Sequence, residues 1–163
     1  ARYFHNKKGH CHETHWIIYQ PVCTLAKHHT AEKGIDYEFT NDPPFGPDTK
    51  VAQINPLGKV PALILDDGFI LFDSRLIVEY LDDHGATGSI PLIPASGTAR
   101  LQVKRWEVLA DGIIDACVAI YLERKRPESQ QSQDWMERQQ KKINQGLQAA
   151  SADLGDQAWC AGA

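Results

Sequence analysis

A strand opened by proline, followed one hairpin later by a helix N-terminus, constrains this chain more than any other part of it. Asn55-Pro-Leu-Gly-Lys-Val-Pro61 leads into the apolar run Ala62-Leu-Ile-Leu65. Asp66-Asp-Gly68 reads as a tight turn into Phe69-Ile-Leu-Phe72. From Ser74 to Leu81 the apolar residues Leu76, Ile77, Tyr80 and Leu81 recur at helical spacing. A proline at the start of a strand withholds one ladder donor, and a cis bond there turns the preceding backbone outward. Val60 would then offer its N–H and C=O to an extended peptide, as in strand addition; an ordinary edge-strand proline is the plain alternative. At Asp73-Ser74 the free amides of a helix start, with the Ser74 hydroxyl, favour a carboxylate, while Asp73 suits an amino group. Helix capping by either side chain is the commoner use of such residues. One ligand carrying both groups, the α-amino-acid end of a small anionic peptide, would use both.

Around this core the pattern is mixed first and helical later. Trp16-Ile-Ile-Tyr19 reads as a strand, Pro21 fits the first turn of a helix, and Gly34 is a natural left-handed stop after Lys33. Ile35-Asp-Tyr-Glu-Phe39 alternates apolar and polar residues, so it reads as a second strand, and Asp42-Pro-Pro-Phe-Gly-Pro47 is a loop. A short helix is expected between that loop and Asn55. Residues 85–97, rich in Gly, Pro and Ser, read as a linker. Beyond Thr98 there are only helices. Leu101, Val108, Leu109, Gly112, Ile113, Ala116 and Ile120 form a stripe ending before Pro127. Met136, Ile143, Leu147, Ala150 and Leu154 form a second stripe, and an antiparallel pair is expected.

Composition removes several functions. With 17 Lys plus Arg against 21 Asp plus Glu, the net charge of -4 argues against nucleic acid as a partner. No apolar run approaches the ~20 residues that span a bilayer, so no membrane role is expected. Cys11, Cys23, Cys117 and Cys160 lie far apart, which suits a reducing cytoplasm better than a disulfide framework. Six of the seven histidines fall within residues 1–30. His10-Cys11-His12-Glu13 with His15 offers metal-ligand chemistry, but its spacing matches no metal motif, and no metal is expected. Residues 1–15 read as an atypical, poorly ordered segment.

Four segments carry a family resemblance. Ala31-Glu-Lys-Gly-Ile-Asp-Tyr-Glu-Phe39, Asn55-Pro-Leu-Gly-Lys-Val-Pro61 and Asp73-Ser-Arg-Leu-Ile-Val-Glu-Tyr-Leu81 resemble the N-terminal domain of bacterial glutathione S-transferases. Trp106-Glu-Val-Leu-Ala-Asp-Gly-Ile-Ile-Asp115 resembles the first helices of their C-terminal domain. The resemblance implies an α+β, thioredoxin-like βαβ-ββα domain over 1–84, the linker, and an incomplete all-helical domain over 98–163. It further implies glutathione as cosubstrate, a small electrophile as second substrate, and a homodimer. Position by position, Lys59 and Val60 would contact the cysteinyl part of glutathione, Pro61 would be the cis-proline, and Asp73 and Ser74 would hold the γ-glutamyl end.

The residue that activates the thiol is less direct. Pro21 falls on the family's proline, which puts Gln20 where bacterial relatives have serine. With one residue deleted, Cys23-Thr-Leu-Ala resembles the Cys-Ser-Leu stretch of cysteine-type transferases. A thiol at a helix N-terminus has a lowered pKa and suits mixed-disulfide chemistry, although a small buried hydrophobe is the plainer role of Cys23. The readings are therefore a glutathione transferase, a glutathione-dependent thiol-disulfide reductase using Cys23, or a non-catalytic binding module of the same fold. Trp106, Ile113 and Tyr121 are the expected lining of the electrophile pocket. Asp156-Gln-Ala-Trp-Cys-Ala-Gly-Ala163 resembles the stretch that enters the family's sixth helix. The expectation drawn from it is a shortened, even frame-shifted, reading frame.

Overall fold

The computed structural model describes residues 30–35, 42, 44–65 and 67–161. The expected strand over 16–19, most of that over 35–39, the helix start at Pro21, Gln20, Cys23 and the His-rich segment lie outside them. The chain divides into two compact units, Ala1–Leu92 and Ile93–Ala163.

In the first unit, helix α1 is described over residues 30–33 and stops at Gly34, whose φ of 61° is left-handed. Gly34 N–H donates to Ala31 O and Ile35 N–H to Thr30 O, so the last carbonyls are satisfied by a Schellman-type close. Helix α2 (Val51–Ile54) is the short helix expected before Asn55. Strands β1 (Leu63–Ile64) and β2 (Ile70–Leu71) pair antiparallel, Leu63 opposite Leu71 and Ile64 opposite Ile70. The turn between them is closed by Leu65 N–H to Phe69 O and Gly68 N–H to Leu65 O, both 2.9 Å.

Helix α3 (Ser74–Asp83) buries Ser74, Ile77, Val78, Leu81 and Asp82, one face of a 3.6-residue period. Val78 takes the inward place, whereas Leu76, expected on that face, is 49% exposed. At 100° per residue Ser74, Ile77, Val78, Leu81 and Asp82 share one arc of α3, and Leu76 falls on the opposite side of the helix. The core joins Leu63, Leu71, Ile77 and Leu81, with Ile35, Leu65 and Tyr80 against it.

A buried ion pair closes this unit. Lys33 Nζ lies 2.7 Å from Asp82 Oδ1, with side chains 1% and 5% exposed. Lys33 Nζ also donates to Ile90 O at 2.6 Å, and Asp82 Oδ1 accepts from Leu92 N–H at 2.8 Å. The end of α1, the last turn of α3 and the segment after it are thereby tied at one point.

The second unit holds helix α4 (Gly97–Arg124), a 3-10 turn (Glu128–Gln130) and helix α5 (Gln133–Leu154). The two long helices pack antiparallel through Ala116, Ile120, Met136 and Ile143, with Ile113 and Trp135 beside them. At Gly146 the helices approach so closely that a Cβ would stand 2.6 Å from Ile113 Cγ1. Arg105 pairs with Asp153 nearer the open end of the hairpin.

At the closed end Ser132 caps α5, accepting from Trp135 N–H, while its own N–H donates to Glu123 Oε1 at 2.8 Å. That amide, opposed by burial and helped by Arg126, holds the Glu123 carboxyl below the usual glutamate range. The expected stripes are only partly buried. Leu101, Val108 and Leu147 are 69%, 60% and 55% exposed. Leu101 and Val108 lie roughly 120–140° around α4 from Ile113 at 100° per residue, off the single seam that one partner helix can cover. On α5 the seam runs through Gly146 rather than Leu147.

Candidate functional site

The hairpin register decides what meets what. Because Leu63 faces Leu71, the residues just before β1 and just after β2 lie at the same end of the hairpin. Pro61 and Asp73 are therefore brought together there, with Val60 and Ser74 as their neighbours. Separated in sequence by the whole hairpin, the two expected half-sites share one edge of the fold.

On the first half, Val60-Pro61 is a cis peptide bond, as the resemblance implies. Pro61 and Ala62 are buried, Val60 is half-buried and Lys59 is exposed. Among the described residues, neither the N–H nor the C=O of Val60 hydrogen-bonds within the chain. A backbone donor and acceptor held at the mouth of a hairpin are what an extended peptide can use.

On the second half, Asp73 is the N-cap of α3. Its Oδ1 accepts from Arg75 N–H at 3.0 Å and its C=O accepts from Ile77 N–H at 3.1 Å. Capping would not compete with amino-group recognition, because among the described residues only one carboxylate oxygen is committed. Ser74 is 4% exposed, and among the described residues its hydroxyl engages no hydrogen bond. A buried hydroxyl without a partner is costly, and native structures seldom keep one without a reason. At a helix N-terminus, where the dipole and free amides favour negative charge, a ligand carboxylate would supply such a reason.

Sequence reasoning missed two features here. Asn55 is 1% exposed and braces the turn before Val60 with its side chain. The Lys33–Asp82 pair joins positions far apart in sequence, and no local pattern announces it. Of the residues expected to line an electrophile pocket, Ile113 is partly buried against the α4–α5 seam, Trp106 is half-buried and Tyr121 is exposed. Cys117 and Cys160 are exposed free thiols in the second unit. Among the described residues no group of three or more His, Cys, Asp or Glu could hold a metal ion. No helix among them is long and apolar enough to cross a membrane.

Known proteins resemble this chain in sequence and in fold. The family model of the glutathione S-transferase N-terminal domain matches residues 22–84. The GST-like protein YibF of Escherichia coli is 42% identical over 125 residues, covering 77% of this chain and 61% of that protein. A stringent starvation protein A homolog of Haemophilus ducreyi is 34% identical over 104 residues, 63% of this chain and 45% of that protein. The chain thus spans less than two thirds of these sequence relatives.

Solved structures match over more of their length. A glutathione S-transferase of Methylobacillus flagellatus with GSH bound superposes with a TM-score of 0.84 at 42% identity, covering 90% of this chain and 72% of that one. A glutathione S-transferase of Methylobacterium radiotolerans in complex with glutathione sulfonate gives 0.84 at 35% identity, covering 91% and 70%. The fold is accordingly a thioredoxin-like domain followed by a helical one, and the chain belongs to the glutathione S-transferase family.

Proposed function

We propose that the chain is a glutathione transferase that binds glutathione across the open end of the β1–β2 hairpin and delivers its thiolate to a small electrophile. Lys59 and Val60 meet the cysteinyl part, the Val60 N–H and C=O pairing with its backbone beside Pro61. Ser74 and the first-turn amides of α3 take the γ-glutamyl carboxylate, and Asp73 takes its ammonium. The observation that carries this reading is the buried Ser74 hydroxyl, without a hydrogen-bond partner among the described residues, at the same hairpin end as a Val60 backbone that is likewise unpaired among them. The related proteins solved with GSH or glutathione sulfonate bound support the choice of ligand.

In the reaction the glutathione thiol gives up its proton, and the thiolate forms a carbon–sulfur bond with the electrophile. The electrophile's leaving group departs, or its double bond takes up the proton. A homodimer is the assembly the family resemblance implies.

Binding is tested by thermal unfolding with reduced glutathione. At about 100 times the dissociation constant, a ligand that binds only the folded state adds about 2.7 kcal/mol. For a protein of this size that raises Tm by roughly 5–10 °C. S-methylglutathione should act alike, since the site grips the peptide rather than the sulfur. An unchanged Tm with both at millimolar concentration contradicts the reading.

A further inference from the structure

We infer that Asn55 is a positioning residue that aims the Val60 N–H at the bound peptide. The inference rests on the glutathione reading and assigns a role to a side chain that would not itself touch the ligand. Asn55 is 1% exposed and uses both ends of its amide. Nδ2 donates to Lys59 O at 2.7 Å, and Oδ1 accepts from Leu57 N–H at 3.0 Å. Its own backbone is held as well, with Asn55 N–H donating to Val51 O at 2.7 Å and Gly58 N–H to Asn55 O at 2.8 Å. The side chain therefore stands on the end of α2 and spans the turn to its far side.

The consequence follows from the planarity of one peptide group. Lys59 C=O and Val60 N–H belong to the same peptide, which is trans, so they point in opposite directions. Asn55 draws the carbonyl toward the buried side of the turn. The Val60 N–H is then directed away from it, outward, where it has no partner within the described chain. The same bond occupies the Lys59 carbonyl, leaving the Val60 groups as those the turn offers to a ligand. Aspartate could not do this, because it would set a carboxylate against the Lys59 oxygen. Alanine removes both bonds and lets the peptide rotate.

The test uses the whole chain, 15N-labelled, with reduced glutathione as the probe. In the wild type the Asn55 side-chain amide protons should be protected from exchange, and glutathione should shift both the Val60 and the Ser74 amide resonances. In Asn55→Ala the dissociation constant should rise about tenfold. At saturation the Ser74 amide should still shift while the Val60 shift is lost, a split that general destabilisation does not produce. Asp82→Asn, destabilised at the distant Lys33 pair, should keep the wild-type dissociation constant within about twofold. If wild type shows no glutathione-dependent shifts, the glutathione reading itself fails, and this inference with it. If wild type binds but Asn55→Ala binds equally well, the positioning role alone is overturned. Should Asn55→Ala not fold, freely exchanging Asn55 amide protons in the wild type would overturn it, and protected ones beside a glutathione-shifted Val60 would support it.

Discussion

Replacing Asp82 with alanine is expected to destabilise the first unit by about 3–5 kcal/mol, the usual consequence of removing one member of a buried ion pair. Among the described residues the Lys33 ammonium, 1% exposed, would keep only the Ile90 carbonyl, and the Leu92 amide would lose its acceptor. Against the 5–15 kcal/mol that folded domains typically possess, that is a large fraction. The pair itself need not be strongly stabilising. Desolvating two charges consumes most of their attraction, so Lys33→Met with Asp82→Leu should recover much of the loss. Urea unfolding followed by tryptophan fluorescence and circular dichroism would measure both. A cost below about 1 kcal/mol for Asp82→Ala, in the range of exposed pairs, would mean that water reaches the site and that the tie is not a buried one.

Ser74→Ala should behave in the opposite way. The Ser74 hydroxyl forms no hydrogen bond among the described residues, so its removal breaks no bond to any of them and takes away a desolvated polar group. Stability should stay level or rise by up to about 1 kcal/mol. Glutathione binding should fall sharply, because a hydrogen bond to a charged carboxylate contributes about 1.5–3 kcal/mol, which corresponds to a roughly 10- to 150-fold rise in dissociation constant. Calorimetric titration with reduced glutathione alongside thermal unfolding would read both quantities. A variant that binds as well as wild type would remove Ser74 from the site. One that loses binding only in step with stability would make it a structural residue.

These two residues also mark how far the sequence could be read. Ser74 was legible because its meaning is local: a hydroxyl after Asp73, at the start of an apolar-periodic segment, can only be a helix N-terminus. The hairpin and the left-handed stop at Gly34 were legible for the same reason, each resting on a few adjacent residues. The Lys33–Asp82 tie was not, because charge in a sequence reads as solvated surface until a fold brings two such residues under one cover. Asn55 was visible as part of a motif but silent as to role, since a side chain's two hydrogen bonds depend on the turn it spans. The exchange of Leu76 for Val78 on the inner face of α3 shows the limit of periodicity. Neighbouring apolar residues fit the same template, and only packing against Leu63 and Leu71 sets the phase. The exposure of Leu101 and Val108 follows from seam geometry, which a stripe of apolar letters does not specify.

In the proposed complex the mouth of a single hairpin holds glutathione by its cysteinyl backbone and its γ-glutamyl end. A crystal structure of the chain grown with reduced glutathione tests it most directly. The cysteinyl backbone should pair with the Val60 N–H and C=O, the γ-glutamyl carboxylate should lie within hydrogen-bond distance of the Ser74 hydroxyl, and its ammonium should lie beside Asp73. Glutathione bound elsewhere, or bound here with its γ-glutamyl end directed away from Ser74, would contradict it.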